Sequence, residues 1–188
     1  MDCDRIIDAF VARVNSSPRE RLCLEEVPAQ LRVPSVSSFT EDPLDLTEWQ
    51  IIAADHSSRI ESLERRLGLR FPPSFRSLVS RYSFPAFECG PIMFFSNTGV
   101  PLQWELQEKL FSDPVMSPQL LAAGYLQIGN PQFNNYDPVC IEVPRAGQEG
   151  KVVQLSHEAI LCNDEIVVLK ELAPTFLQLV RAMHVEAR

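Results

Sequence analysis

The stretch LGLRFPPSFRSLVSRYSFPAF, residues 67–87, decides how this chain folds, because two adjacent prolines stand directly before a helical apolar pattern. Pro73 suits the first turn of a helix, where its missing amide hydrogen costs nothing and its fixed φ is already helical. Pro72 favours an extended conformation for the residue before it. The pair therefore predicts a stiff corner that ends one helix and starts another.

The segment before the corner predicts the first helix of this pair. Ser58 and Glu61 have the spacing of a capping box, in which each side chain satisfies a free backbone amide of the first turn. Gly68 fits a left-handed conformation after the last turn at low steric cost. The expected buried stripe consists of Ile60, Leu63 and Leu67.

Four further helices are predicted from apolar residues at helical spacing. The helix after the corner has an apolar face made of Phe75, Leu78, Val79 and Tyr82. A first amphipathic helix is expected at residues 4–14, and a last one is opened by Pro174. SPQLLAAG, residues 117–124, predicts a short helix with Ser117 as its cap and Gly124 as its stop.

Beyond Ser83 the pattern changes to short apolar runs bounded by glycine, proline and asparagine, which is typical of strands. The expected strands are residues 91–95, YLQIG at 125–129, PVCIEV at 138–143, KVVQLSH at 151–157 and EIVVLKEL at 165–172. Helices, then strands, then a closing helix predict an α+β domain. We expect a mostly antiparallel sheet of about five strands, flanked by an N-terminal helix pair and a C-terminal helix.

The chain divides into two expected parts. Residues 1–46 combine the first helix with an acidic, proline-rich extension whose composition opposes long helices. This extension is expected to wrap around the body, and a flexible linker is the alternative. Residues 47–188 are expected to form the α+β domain.

The net charge of −8, from 25 acids and 17 bases, argues against a nucleic-acid partner, which would require a clustered basic surface. An acidic chain suits a basic partner better. The charge is uneven, since residues 1–55 hold 11 acids and 5 bases, whereas six arginines outnumber two glutamates in residues 56–82. Either the acidic segment lies over the basic helices, or it contacts a partner.

The cysteines and histidines indicate neither a disulfide framework nor a metal site. The five cysteines are scattered without a CxxC pair, and His56, His157 and His184 fall on separate expected elements. No cofactor is expected. The chain has no apolar run of about 18 residues and no basic leader before an apolar core, so we expect a cytoplasmic protein without membrane contact.

The order of these segments resembles the SUKH superfamily. The resemblance is carried by ESLERRLGLRFPPSF, SLVSRY, YLQIGN, DPVCIEV, KVVQLSHE and LAPTFLQLVRAM, and it covers residues 47–184. That superfamily groups yeast Smi/Knr-type cell-wall regulators with many bacterial immunity proteins. The chain departs from its pattern at Tyr136-Asp137, where a Gly-Asp pair commonly precedes the central strand.

The resemblance implies a non-enzymatic protein, monomeric or weakly dimeric, that binds and neutralises a toxin domain such as a basic nuclease. The polar loop at residues 130–137 is the best candidate surface, although an ordinary turn is an equal alternative. The candidate partner-binding residues are Glu88, Trp104, Glu105, Asn134, Asn135, Tyr136, Asp137 and Glu142. We expect Glu88, Asp137 and Glu142 to present charge, with Tyr136 and Trp104 as anchors.

Two other functions remain open at this point. The first is a regulatory or scaffolding module that binds a cellular protein, as the cell-wall regulators of the superfamily imply. The second is a hydrolase in which His157 activates Cys140 or Cys162. Alternation in PVCIEV would place Cys140 on the same face as Glu142, where exposure is possible.

Overall fold

The fold, seen in a computed structural model, is described for residues 2–17, 22–23, 27–33, 47–99, 104–132, 136–144 and 148–183. Within these residues, four short strands form two antiparallel pairs: β1 (Leu22–Cys23) with β2 (Thr47–Glu48), and β3 (Ile52–Ala53) with β4 (Tyr82–Ser83). The second pair brings the start of the body next to the end of the segment that contains the proline corner.

The main sheet has six strands, and each strand pairs antiparallel with the next strand along the chain. From one edge to the other, the strands are β5 (Phe87–Cys89), β6 (Ile92–Phe94), β7 (Tyr125–Pro131), β8 (Val139–Glu142), β9 (Val152–Leu155) and β10 (Val168–Ala173). The two edges of this sheet are therefore its first and last strands.

The expectation of an α+β protein with an antiparallel sheet is confirmed, but the main sheet has six strands where about five were expected. The additional strand is β5, which has only three residues and turns into β6 at Gly90.

Seven α-helices lie in the described residues: α1 (Cys3–Ser16), α2 (Ser57–Leu67), α3 (Pro73–Arg81), α4 (Glu105–Phe111), α5 (Met116–Ala122), α6 (His157–Asn163) and α7 (Phe176–Ala182). None of these helices is both long and apolar enough to cross a membrane. Sequence analysis missed α6, whose only buried residue is Ile160 and which therefore has no apolar stripe.

Both faces of the main sheet carry buried apolar side chains. In the larger cluster, the ring of Phe94 on β6 lies 6.4 Å from that of Phe10 on α1 and 6.2 Å from that of Phe176 on α7. The smaller cluster consists of Leu120, Cys140, Val153, Leu155 and Ile160. Since neighbouring residues of a strand point to opposite faces, α5 and α6 cover the face of β8 and β9 that the larger cluster leaves open.

The proline corner forms as the sequence predicts. Gly68 ends α2 with a φ of 69°, and α3 begins at Pro73. Glu64 lies beneath the connection, with a side chain that is 1% exposed. Its carboxylate accepts a hydrogen bond of 2.8 Å from the backbone amide of Phe71 and one of 2.9 Å from Arg70. The corner is thus held by a buried acid as well as by its prolines.

Two helix starts differ from the sequence prediction, and both differ for the same reason. Ser58 lies inside α2 and forms no capping box. Asp55 instead accepts a hydrogen bond of 3.0 Å from the backbone amide of Ser57, at the start of the helix. Ser117 likewise lies inside α5. Asp113 accepts hydrogen bonds of 2.8 and 2.7 Å from the backbone amides of Val115 and Met116, where that helix begins. An aspartate just before each helix takes the role expected of the serine.

The acidic first helix packs directly against the basic helix that follows the corner. Arg81 of α3 lies 2.8 Å from the carboxylate of Asp8 and 3.4 Å from that of Asp4. Asp4 also accepts a hydrogen bond of 2.6 Å from Ser77, and Asp8 accepts one of 2.6 Å from Tyr82. The acidic side chains of α1 are therefore paired with a basic residue of α3 within the protein.

We predict that Glu64→Ala lowers the free energy of unfolding by about 2 kcal/mol, because the buried amide of Phe71 loses its acceptor. Chemical denaturation followed by circular dichroism measures this change. The matched control is Glu61→Ala on the same helix, whose side chain is 59% exposed, and its effect should stay within about 0.5 kcal/mol. Equal effects of the two substitutions would contradict the role given to Glu64.

Candidate functional site

Asp137 is a buried carboxylate that joins the loop before β8 to β9 and α6. Its Oδ1 lies 3.0 Å from the backbone nitrogen of His157 and 2.7 Å from Nδ1 of the same residue. Its Oδ2 accepts a hydrogen bond of 3.1 Å from Gln154. Because a carboxylate can only accept, Nδ1 of His157 carries the hydrogen in this contact. The expectation that Asp137 presents charge at the surface is wrong, since its acceptors are used inside the protein.

Tyr136, the residue before this carboxylate, has the opposite environment. It is 79% exposed, and its ring lies 6.0 Å from the ring of His157. The buried Asp137 fixes the backbone on one side of Tyr136, and the imidazole of His157 supports the ring on another. Tyr136 is therefore exposed to solvent beside the ring of His157, as an anchor residue would be.

Exposed apolar side chains are concentrated in a few segments of the chain. Among the described residues, the exposed large apolar side chains are Val115, Tyr136, Leu161, Val167, Val168 and Leu169. Five of these six belong to the loop before β8, to α6 or to the start of β10. We call Tyr136, His157, Leu161, Val167, Val168 and Leu169 the α6–β10 surface.

Backbone contacts show that the segments of the α6–β10 surface are neighbours. The amide of Ser156, the residue that caps α6, donates a 3.0 Å hydrogen bond to the carbonyl of Val167. Val168 then pairs with Leu155 in the sheet. Leu161 follows His157 by four residues on α6, so both lie on one side of that helix. The exposed side chains thus surround the point where α6 begins beside β10.

The charged residues around this surface are mainly acidic. Glu158, Asp164 and Glu165 are exposed on α6 and on the connection from α6 to β10, whereas Lys170 is exposed on β10. Glu171 is paired with Lys151 at 2.9 Å, so that pair adds little net charge. An apolar centre with an acidic margin is the result.

The structure does not bring the other predicted residues to this surface. Glu88 is exposed on β5, the strand at the opposite edge of the main sheet, and Glu142 is exposed at the end of β8. Asn134 and Asn135 lie outside the described residues. Of the predicted set, Tyr136 and Asp137 are the two that lie together in the loop beside α6.

Trp104 and Glu105 belong to an internal network. The indole of Trp104 is 2% exposed and donates a 2.6 Å hydrogen bond to the carbonyl of Asn97, so its expected role as an exposed anchor is wrong. Glu105 accepts a 2.8 Å hydrogen bond from Thr98. The ring of His56 packs 5.9 Å from Trp104, and burial there lowers the pKa of His56 below its ordinary value. This network holds α4 against the body.

Sequence analysis missed the apolar residues of β10 and α6. The run IVVL at residues 166–169 has the composition of a strand buried on both faces, and such runs are normally interior. The available signal was its position, because the last strand of a meander lies at an edge. An uninterrupted apolar run on a terminal strand therefore predicts an exposed surface.

Cys140 is not exposed, which corrects the expectation from strand alternation. Its side chain is fully buried between β8, α5 and α6, and burial raises the pKa of its thiol above the ordinary value. Cys162 is exposed at the end of α6, whereas the Nδ1 of His157 is held by Asp137. The residues described in the structure include no group of three or more His, Cys, Asp or Glu side chains that could hold a metal ion.

Two open hollows, each of about 500 Å³, lie beside the proline corner. One is lined by Arg65, Arg70 and Pro144, among others, and the second by Arg70, Arg76 and Arg81 together with Asp4 and Glu64. Several of these charges are already paired within the chain, as Glu64 pairs with Arg70 and with Arg76. Fewer unpaired charges are therefore left in the hollows to bind a ligand, and the α6–β10 surface is the stronger candidate.

No protein-family model matches the chain, and no curated protein matches it.

We predict that iodoacetamide alkylates Cys140 at least about 100-fold more slowly than Cys162 in the native protein, because Cys140 is buried and its thiolate is suppressed. Peptide mass spectrometry of timed samples measures both rates. In guanidinium chloride the two rates should become similar, which controls for local sequence. Fast native alkylation of Cys140 would restore the cysteine hydrolase as a candidate.

Proposed function

We propose that this protein is a non-enzymatic binding protein that contacts a basic protein partner through the α6–β10 surface. One observation supports this most strongly: five of the six exposed large apolar side chains among the described residues belong to that surface. Single exposed apolar residues are ordinary in folded proteins. A cluster of them with a polar margin is typical of an interaction site.

The charges around the surface favour a basic partner. Glu158, Asp164 and Glu165 are exposed beside the apolar residues, and the whole chain carries a net charge of −8. Complementary charge raises the rate of encounter and orients the two proteins. The apolar centre, with Tyr136 as its largest side chain, would then supply most of the binding energy once water is excluded.

The resemblance to the SUKH superfamily gives the class of partner. On this proposal the protein acts as an immunity protein in the cytoplasm, where it binds a basic toxin domain such as a nuclease and covers its active surface. The protein needs no catalytic residue or cofactor for this role. The buried thiol of Cys140 further reduces the support for a hydrolase that uses this residue.

We predict that Tyr136→Ala lowers the affinity for a basic toxin domain at least about tenfold, because Tyr136 is the largest exposed side chain of the α6–β10 surface. The measurement is calorimetric titration with an inactivated toxin domain. Val115→Ala, an exposed apolar residue on the N-terminal side of α5, is the control and should bind normally. Thermal melts should show that both variants stay folded.

Failure of the toxin domain to bind the parent protein would sink the immunity proposal. Binding with no loss in Tyr136→Ala would instead show that the partner uses a different surface. If the parent protein binds a cellular regulator and has no toxin gene beside it, the regulatory module becomes the better account.

A further inference from the structure

We propose that the partner binds by strand addition, in which an extended basic segment pairs with the outer edge of β10 and extends the main sheet from six strands to seven. This inference rests on the proposed function, because it assigns the way in which the α6–β10 surface holds its partner. Strand addition supplies affinity through backbone hydrogen bonds, and the neighbouring side chains supply specificity.

The edge at β10 is the more open of the two edges of the main sheet. β10 pairs with β9, and no other strand in the described part of the chain pairs with it. Its residues from Val168 to Glu171 all have exposed side chains. At the other edge, β5 has three residues, and Phe87 and Cys89 are buried. A partner strand would therefore find a longer and less covered edge at β10.

The pairing of β10 with β9 is irregular at Leu169 and again at Leu172. Val168 pairs with Leu155, and the next pair joins Lys170 to Gln154, so Leu169 is an extra residue without a partner in β9. Such a bulge leaves the extra residue outside the ladder of hydrogen bonds. Leu169 is 52% exposed, so this apolar residue is available for contact with a partner.

Natural edge strands are usually protected from pairing by charged side chains, by proline or by bulges. In β10 the charged residues are Lys170 and Glu171, and no proline occurs from residue 165 to residue 173. Residues 167–169 are three consecutive exposed apolar residues at the start of this edge. The start of this edge, at Val167 and Val168, therefore lies before the bulges and the charges of β10.

The charges nearby select a basic segment over a second copy of this chain. Glu158, Asp164 and Glu165 are exposed around the start of β10, and Lys170 is the base beside them. A symmetric dimer brings the same surface patch of both copies together, so these acids would face their counterparts. A strand with apolar residues flanked by lysine or arginine avoids that repulsion and offsets the acidic margin.

The test uses a blocked synthetic peptide of alternating valine and lysine, about eight residues long, which is the length of an ordinary strand. NMR-detected amide exchange should become at least about tenfold slower within Val168–Glu171 when the peptide is added, because new hydrogen bonds must open before exchange. The same peptide with alternate backbone amides N-methylated should lose this effect. No slowing in β10, or equal slowing by the methylated peptide, would overturn strand addition.

A matched pair of variants tests the same proposal without relying on one peptide design. Val168→Lys should weaken peptide binding at least about tenfold, because it places a like charge at the pairing edge. Val115→Lys adds the same charge at a valine of nearly equal exposure, 49% against 48%, and should leave binding almost unchanged. Equal weakening in both variants would indicate only general charge attraction and would contradict the proposal.

Two outcomes separate this proposal from the proposed function. If the peptide protects β10 but the toxin domain does not bind, strand addition stands and the immunity role fails. If the toxin domain binds Val168→Lys as tightly as the parent, the binding role stands and strand addition fails. Sedimentation of the protein alone gives a third check. If the parent chain forms a dimer that Val168→Lys dissociates, a second copy of this chain occupies the edge of β10, and the proposal of a basic partner segment fails.

Discussion

The rest of the structure depends on the contacts that the buried carboxylate of Glu64 makes at the proline corner. It satisfies the amide of Phe71 and pairs with Arg70, so the chain can leave α2 and enter α3 without an unpaired buried donor. The direction of α3 then follows, and this helix supplies Phe75 to the core and Arg81 to the acids of α1. Glu64 thus holds the corner, and α3 in turn contacts the first helix.

A second buried carboxylate, Asp137, has the same kind of role beside the main sheet. It holds His157 at the start of α6 and Gln154 on β9, while the preceding Tyr136 stays exposed. Its contacts keep α6 over the small apolar cluster, and the chain then returns along β10 as an edge strand. The α6–β10 surface therefore lies on elements that the hydrogen bonds of Asp137 join to one another.

The sequence predicted those features whose causes are local. Gly68 and Pro73 mark the corner because each restricts or permits its own backbone conformation. Ser58 and Ser117 failed as caps because neighbouring aspartates were better placed. The burial of Trp104 and Asp137 depends on partners that lie elsewhere in the sequence. The exposure of β10 depends on the order of the strands in the sheet. Local residue patterns could therefore predict neither the burial nor the exposure.

The central claim is that the α6–β10 surface is where this protein meets its partner. Hydrogen-exchange mass spectrometry, with and without an inactivated basic toxin domain, tests it most directly. We expect slower exchange in residues 136–144 and 157–171, because those segments form the surface and its support. Slower exchange confined to α1, α2 and α3 would contradict the claim and would place the interface at the proline corner.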